Sequence, residues 1–405
     1  MTEYNITRLG MHGDGIAEGP VFAPMTLPGE VVTGTLDGST LRDIKIVTPS
    51  DDRVAPSCKH FKSCGGCQLQ HAADPLVATW KTEVVEQALA AQGIRTTIRP
   101  IVTSPAGSRR RATFAARRTK KGTMSGFHGR ASGTVVEIPG CTLILPELLA
   151  ARSIAEELAE LGGSRKATLA VTVTTSQVGL DVQVSGGKPI DGQLRITLAA
   201  VCDTRGLARL TWEDEVIAQR APPVQRFGAA DVCPPPGAFM QATAHGEAHL
   251  LAAVQEVVQG AKRVVDLFAG CGTFSLPLAK NAEVWAVEGD AAMMAALDKG
   301  WRMAQGLKTV QHTARDLFRR PLLPDEFYKY DAVVMDPPRA GAQAQTAELI
   351  RSDIKRVAYV SCNPVTFARD AAQMIAEGFT LDWVQPVDQF RWSSHIELAA
   401  QLSRP

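Results

Sequence analysis

A mostly parallel α/β sheet with helices on both faces is the fold class expected for the C-terminal part of this 405-residue chain. A small β-barrel and a central α+β unit are expected to precede it. Three observations carry this expectation. After about residue 245, four short, nearly continuous apolar runs alternate with helical stretches: Val264-Val265-Asp266-Leu267-Phe268, Val284-Trp285-Ala286-Val287, Ala332-Val333-Val334-Met335 and Val357-Ala358-Tyr359-Val360. Runs without polar alternation are strands buried on both faces, and their alternation with helices implies a parallel sheet. The first fifty residues carry instead short β-branched stretches, Val31 to Leu36 and Leu41 to Val47 among them, broken at Gly13, Gly15, Gly19-Pro20 and Pro28-Gly29. Finally, Pro222-Pro223 and Pro234-Pro235-Pro236-Gly237 mark a break ahead of the last unit.

The chain accordingly divides into residues 1–51, 52–225 and 226–405. Five short strands in the first segment make an OB-like barrel, either an RNA-binding module or a β appendage without a ligand. Residues 52–75 hold three cysteines and few periodic apolar positions. A helix is expected over 76–93, ending at Gly93. Residues 108–145 read as Arg-rich antiparallel strands, and 148 to about 220 as a helix followed by further α+β structure. No internal repeat or low-complexity tract is present in the sequence.

Composition narrows the class. The chain is 45% hydrophobic and 21% charged, as in globular enzymes. No apolar run approaches the roughly 18 residues of a membrane-spanning helix, and Met1-Thr2-Glu3-Tyr4-Asn5 has no signal-peptide character. A cytoplasmic protein with no membrane association is expected, acting as a monomer. Its eight cysteines are then not structural disulfides. With 43 Lys plus Arg against 42 Asp plus Glu, overall charge neither suggests nor excludes a nucleic-acid partner.

Asp266-Leu267-Phe268-Ala269-Gly270-Cys271-Gly272-Thr273-Phe274 stands where a strand gives way to a helix. Gly270 and Gly272 let the backbone turn tightly and a ligand approach. The run is not the dinucleotide pattern GxGxxG, and no Lys-Ser/Thr pair follows to cradle a phosphate. The next strand ends at Glu288, whose carboxylate can accept hydrogen bonds from both hydroxyls of a ribose. This arrangement resembles the cofactor site of class I (Rossmann-like) methyltransferases. Asp316 follows the third strand, where that fold meets adenine; an N-cap is the competing reading.

Two further strand ends carry chemistry. Asp336-Pro337-Pro338-Arg339-Ala340-Gly341 stiffens a loop around Asp336, and Pro-Pro-Arg there argues against methylation of an exocyclic amine, where Pro-Pro-aromatic is common. The last apolar strand runs into Ser361-Cys362-Asn363-Pro364. A cysteine at a strand end facing a cofactor is placed as a nucleophile, against the alternative of a small packing residue. With His395-Ile396-Glu397 following in order, the three motifs resemble the signature of the RNA uracil-5-methyltransferase family over nearly the whole chain. The resemblance implies that Cys362 is the nucleophile and Glu397 the general base. It further implies that Gln241, Phe268, Thr273, Glu288 and Asp336 contact S-adenosylmethionine, with Asp316 and Gly270 in the same site. Thr273 replaces an asparagine common in some members.

The chemistry needs both catalytic groups. Uracil C5 is a poor nucleophile, and thiolate addition at C6 makes it enolate-like. After methylation C5 still bears its proton, and a base must remove it before the thiol can leave.

Cys58, Cys64 and Cys67 form a loop, and Cys141 lies far downstream. Four thiolates can hold zinc or a four-iron cluster; zinc sites use two close pairs, so three plus one favours iron–sulfur. Several family members carry a 4Fe–4S cluster on this pattern, which would make 52–225 an iron–sulfur domain. Cys202, Cys233 and Cys271 are read as non-ligands. Arg109, Arg110, Arg111, Arg117, Arg118, Lys120, Lys121 and Arg130 concentrate eight basic residues. They are either a solvated face or, beside the cluster, an RNA-contacting surface. The resemblance makes the barrel TRAM-like. It also implies 23S rRNA as the substrate, since family members acting on tRNA typically lack barrel and cluster. The alternatives are a tRNA uracil-5-methyltransferase, an RNA cytosine-5-methyltransferase, and a non-enzymatic iron–sulfur RNA-binding protein.

Overall fold

The computed structural model describes residues 2–405. Five strands, Glu3–Leu9, Gly15–Ala17, Val21–Ala23, Val31–Asp37 and Thr40–Thr48, close into the expected barrel. Its core is small: Ile6, Ala17, Val21, Ala23, Val32 and Leu41. Gly34 sits at a bulge between the last two strands, where a Cβ would stand 2.5 Å from the Arg42 carbonyl, so only glycine lets the strands approach there.

The central unit is a seven-stranded sheet running, in spatial order, Val135–Val136, Thr123–His128, Arg111–Arg118, Leu169–Ser176, Gly179–Ser185, Arg209–Trp212 and Glu215–Gln219. Helices Arg152–Gly162 and Gly192–Thr204 bury Ile154, Leu158, Leu194 and Leu198 in the same core as Phe114, Val171, Val182 and Trp212.

In the C-terminal unit the strands are ordered Val310–Ala314, Glu283–Glu288, Arg263–Leu267, Ala332–Met335, Arg356–Ser361, Glu397–Ser403 and Thr380–Asp388. The first five are parallel and the last two pair antiparallel. Helix entries are fixed by side-chain caps: Thr243 accepts from Gly246 N–H, Asp290 from Ala292 and Met293 N–H, and Asn363 from Val365 N–H. Pro364 follows Asn363 at the first helical position, where its missing N–H is no loss.

The expected central segment 52–225 is not one packing unit. Its helix, Asp74–Ala90 rather than 76–93, buries Val77, Trp80, Val85 and Leu89 in the core of the C-terminal sheet. Thr97–Ile98 and Val102–Thr103 then run parallel beside Thr380–Asp388. The reason is the sheet edge: Thr380–Asp388 would otherwise present unpaired backbone groups to solvent. Residues 74–103 therefore complete the C-terminal unit. No described helix is long and apolar enough to cross a membrane.

Candidate active site

Strand register brings the expected site residues to one edge of the sheet. Leu267 pairs with Met335 and Met335 with Tyr359, so the loops at Phe268 and Asp336 and the Ser361-Cys362 turn leave the sheet side by side. Ser361 pairs with Leu398, the last rung before Cys362 on one strand and Glu397 on its neighbour. A cavity of about 470 Å³ opens there, a size suited to a small-molecule ligand. Gln241, Phe268, Gly270, Thr273, Glu288, Asp316 and Asp336 all line it, together with Cys362 and Glu397.

The glycine loop is shaped for a ligand. Phe268 has φ 61° and Gly270 φ 56°, both left-handed, and a Cβ at Gly270 would meet nothing within 4 Å. Glycine there answers a backbone demand, and the space beyond it belongs to the cavity. Glu288 steadies the loop by accepting from Gly270 N–H at 3.1 Å, and its other oxygen accepts from Asp290 N–H. At Asp316 no helix begins, so it caps a turn rather than a helix. It accepts from Phe318 and Arg319 N–H as a turn cap, and it faces the cavity. The Phe268 and Phe318 rings stand 5.6 Å apart along one wall.

The cavity is acidic and short of compensating charge. Asp336 is pushed up to about 7 by burial, then by the charges of Asp266 and Glu288. Asp266 behind it is likewise pushed up to about 7 by burial; one carboxylate oxygen accepts from Ser275 at 2.5 Å and the other has no partner. Glu397 is pushed up to about 8, first by burial and then by Asp336. Carboxylates held close to neutrality in this way suit a cationic ligand, which their ionised forms would bind.

Cys362 is half-buried between the strand end and the N-cap Asn363. Burial, Glu397 and Asp336 raise its thiol, while Arg339 opposes them. The N-terminus of helix Pro364–Ala376 lies immediately beyond and favours a thiolate. Two motifs legible in the sequence are joined here: Asn363 Nδ2 and Thr366 Oγ1 donate to the Arg339 carbonyl at 3.0 and 3.1 Å. Arg339 in turn donates to the His395 ring at 3.1 Å.

Sequence reasoning missed Gln389. It is buried, donates through Nε2 to Gln241 Oε1 at 2.5 Å and to Glu397 Oε2, and accepts from Thr243 N–H at 3.2 Å. It also missed Lys81, buried in an ion pair with Asp388 at 2.6 Å and donating to the Phe390 and His395 carbonyls. Phe239, exposed beside the cavity, had no pattern to mark it.

The four expected cluster cysteines converge. Cys58, Cys64 and Cys67 are buried and Cys141 half-buried; a charge on Cys58 or Cys141 would be felt at Cys64 and Cys67, and one on Cys58 also at Cys141. Gly66 N–H donates to the Cys64 sulfur and Gln70 Nε2 to the Cys67 sulfur, at 3.4 and 3.3 Å. Arg109 and Arg130 lie near enough to stabilise thiolates. Even so, among the described residues no three His, Cys, Asp or Glu side chains are gathered closely enough to hold a single metal ion.

The basic run is divided in its use. Arg110 is committed to Glu247 at 2.5 Å and to the Gln241 carbonyl. Arg111 donates to the Gly237 carbonyl, and Arg109 is half-buried, donating to the Arg111 carbonyl. These three arginines tie the central sheet to the catalytic unit, whereas Arg118 is exposed at its strand end and Arg117 half-buried beside it. A groove of about 920 Å³ runs between barrel, cysteine loop and catalytic loop, with Arg42, Arg109, Arg130, His128 and His395 on its walls. His395 thus stands where this groove meets the active-site edge.

Comparison with known proteins agrees with this architecture. Residues 233–405 match the family model described as tRNA (Uracil-5-)-methyltransferase. An uncharacterised RNA methyltransferase of Brucella suis is 43% identical, covering 99% of this chain and 98% of its own. The 23S rRNA (uracil(1939)-C(5))-methyltransferase RlmD of Halomonas elongata is 31% identical over 100% of this chain and 89% of its own. The crystal structure of the Pyrococcus abyssi tRNA (uracil-54, C5)-methyltransferase in complex with S-adenosyl-L-homocysteine superposes with a TM-score of 0.78, covering 99% of each chain at 22% identity, and shares the fold. A half-buried cysteine and a buried glutamate on adjacent strand ends, and relatives matched nearly from end to end, lead to one conclusion: the chain is an enzyme of the RNA uracil-5-methyltransferase family.

Proposed function

We infer that the chain methylates C5 of a uridine in 23S rRNA, taking the methyl from S-adenosylmethionine and working through a covalent bond between Cys362 and C6 of the base. The observation that carries this reading is the pairing of Cys362 and Glu397 at the last rung of neighbouring strands, inside a cavity whose carboxylates lack counter-charge. Such a cavity fits a ligand bearing a sulfonium and an ammonium group. Glu288 would hold the ribose, Asp336 and Gln241 the cationic end, and Phe268, Gly270, Thr273 and Asp316 would enclose the remainder. S-adenosylmethionine supplies an electrophilic methyl group.

The protein's part is thiol and proton chemistry. The Cys362 thiolate adds to C6, and the displaced electron pair makes C5 nucleophilic. Once C5 carries the methyl, Glu397 takes the C5 proton. The C5–C6 double bond re-forms and the bond to sulfur breaks, returning the thiolate. A base stacked in structured RNA must leave its stack to reach Cys362. The groove ending at His395 is the route of approach, with Arg117 and Arg118 as outlying phosphate contacts and Arg109, Arg110 and Arg111 bracing its floor.

Cys58, Cys64, Cys67 and Cys141 would hold a 4Fe–4S cluster. An all-thiol donor set with N–H donors and two guanidinium groups nearby fits an anionic cluster, and each thiolate there binds a different iron, so the sulfurs need not crowd around one ion. The support for 23S rRNA is the relative that acts on it, which matches this chain throughout. The three-part build does not by itself decide the substrate, because the tRNA enzyme of Pyrococcus abyssi spans the same length. A tRNA substrate is the second reading.

The test is to map 5-methyluridine in rRNA and tRNA from cells with and without the protein. A single 23S site should disappear without it; loss confined to tRNA would replace the substrate. With 5-fluorouridine transcripts, wild type should form a denaturation-stable adduct and Cys362→Ala none. Trapping only by 5-fluorocytidine transcripts would mean cytosine chemistry.

A further inference from the structure

Most of the catalytic edge is built from groups that repel one another. Glu397 faces Asp336 from one strand end, Cys362 from the next, and Asp388 from the strand on its other side, itself paired with Lys81. Burial adds to this by removing the water that would stabilise its ionised form. A base in that setting holds its proton at neutral pH, and a protonated glutamate cannot abstract one. Opposing this, one neutral group donates to the Glu397 carboxylate, the Gln389 amide.

The placement of Gln389 is over-determined. Thr243 N–H can only donate, so it fixes the amide oxygen toward itself and turns both amide hydrogens to the other side. There Nε2 meets Gln241 Oε1 and Glu397 Oε2. Gly246 leaves room for this, because a Cβ at that position would stand 2.7 Å from the Gln389 Cβ. All donors and acceptors of the Gln389 amide are engaged, in a residue only 2% exposed. The same contact orients Gln241: with its oxygen bound to Gln389, its own amide hydrogens are left for the cavity, which Gln241 and Glu397 line.

We propose that Gln389 is a positioning residue for the elimination step, easing ionisation of the Glu397 carboxyl and aiming it at C5 while presenting the donor face of Gln241 to the methyl donor. This rests on the reading of Glu397 as the base. Gln389 touches neither substrate nor reacting atom, and acts through the two side chains it joins. The donated hydrogen bond holds Glu397 down against burial and Asp336; without it the carboxyl moves higher still. Because proton abstraction needs the ionised form, turnover rises with pH through the Glu397 pKa, and loss of the donor displaces that rise to higher pH.

The test compares wild type with Gln389→Met and Gln389→Glu, both close to glutamine in size, on 23S rRNA and tRNA transcripts carrying 5-tritiated uridine. Methyl incorporation, tritium release and denaturation-stable protein–RNA adduct are followed across pH. A hydrogen bond to a charged group supports a loss in tritium release near pH 7 of roughly ten- to a hundredfold for Gln389→Met. The adduct should accumulate in its methylated form, and raising the pH should recover turnover. Gln389→Glu keeps the shape but places a carboxylate against Glu397, and its pH profile should move further in the same direction. A variant that merely folds badly would not regain activity as pH rises. A wild-type pH profile in both variants, with no adduct, would overturn the proposal. Glu397→Gln serves as the control: if it too fails to accumulate methylated adduct, the base itself has been misassigned, and the two failures are told apart.

Discussion

At Asp336 the conflict between burial and function is concentrated in one carboxyl. It lines the cavity, accepts no hydrogen bond among the described residues, and is pushed up to about 7 by burial and by Asp266 and Glu288. A raised carboxyl is protonated below its pKa and ionised above it. A cationic ligand binds the ionised form, so the affinity for S-adenosylmethionine should climb as pH rises from about 6 to about 8, at most about tenfold per unit below that pKa. Binding should also release a proton, measurable by calorimetry in two buffers of different ionisation heat. Asp336→Asn should weaken binding and flatten its pH dependence; an unchanged slope would mean that Asp336 does not meet the cation. Cys362, the proposed nucleophile, meets the same conflict. Its thiol is raised by burial and by Glu397 and Asp336, yet it must ionise to attack. The thiolate's supports are Arg339 and the helix N-terminus. Arg339→Gln should therefore slow adduct formation with 5-fluorouridine RNA and displace its rise with pH upward, whereas Glu397→Gln, which removes a repelling charge, should leave trapping intact or faster.

The loop 388–397 is held by segments far from it in sequence. Lys81, on the helix Asp74–Ala90, pairs with Asp388 and donates to two carbonyls of the loop. The Trp392 carbonyl accepts from Gln68 and Leu69 N–H, next to Cys67, and the Trp392 ring packs with Phe61, Cys67 and Leu143. Lys81→Met leaves Asp388 buried and unpaired, which should cost about 3–5 kcal/mol in denaturant unfolding. Replacing both members, Lys81→Met with Asp388→Asn, should recover much of it; equal instability in the double variant would mean that packing, and not charge, is what Lys81 provides. This clamp shows where the sequence was readable. The strand-end motifs could be placed because each couples a local pattern, an apolar run followed by Gly, Pro or an N-cap, to chemistry at one sheet edge. The assignment of residues 74–103 could not, because it depends on which strand stands at the sheet edge, here Thr380–Asp388, 285 residues on at the Thr96–Leu381 hydrogen bond. Gln389 was hidden for the same reason: its hydrogen bond to Gln241 spans 148 residues, and no spacing announces it.

Across the whole molecule, three units meet along one groove, and charge that balances overall is redistributed there. Of the eight basic residues concentrated in the sequence, Arg110 is consumed in an ion pair, and Arg109 and Arg111 are half-buried. Arg109 and Arg130 of that run nonetheless line the groove, where Arg130, next to the cysteine loop, is joined by Arg42 from the barrel. These two differ in kind. Arg42 has only a loose pair with Asp37, with most of its side chain in solvent. Arg130 donates to the Phe61 and Cys67 carbonyls and lies over the Phe61 ring, so it fastens the cysteine loop to the central sheet. The distinction predicts different consequences for RNA binding. If Arg42 meets a phosphate, Arg42→Ala should weaken RNA binding at low salt and reduce the slope of log affinity against log salt by somewhat less than one, about 0.7 to 0.9. The iron and sulfide content of the protein should be unaffected. Arg130→Ala should instead loosen the loop, lowering bound iron, about four atoms per chain if the cysteines hold the proposed cluster, and weakening RNA binding by more than one lost phosphate contact. Filter binding over a salt series, with iron analysis of the same preparations, separates the two. Full iron content and a slope change of one contact in both variants would mean that the groove binds RNA through its surface charge alone, and that the cysteine loop does not shape it.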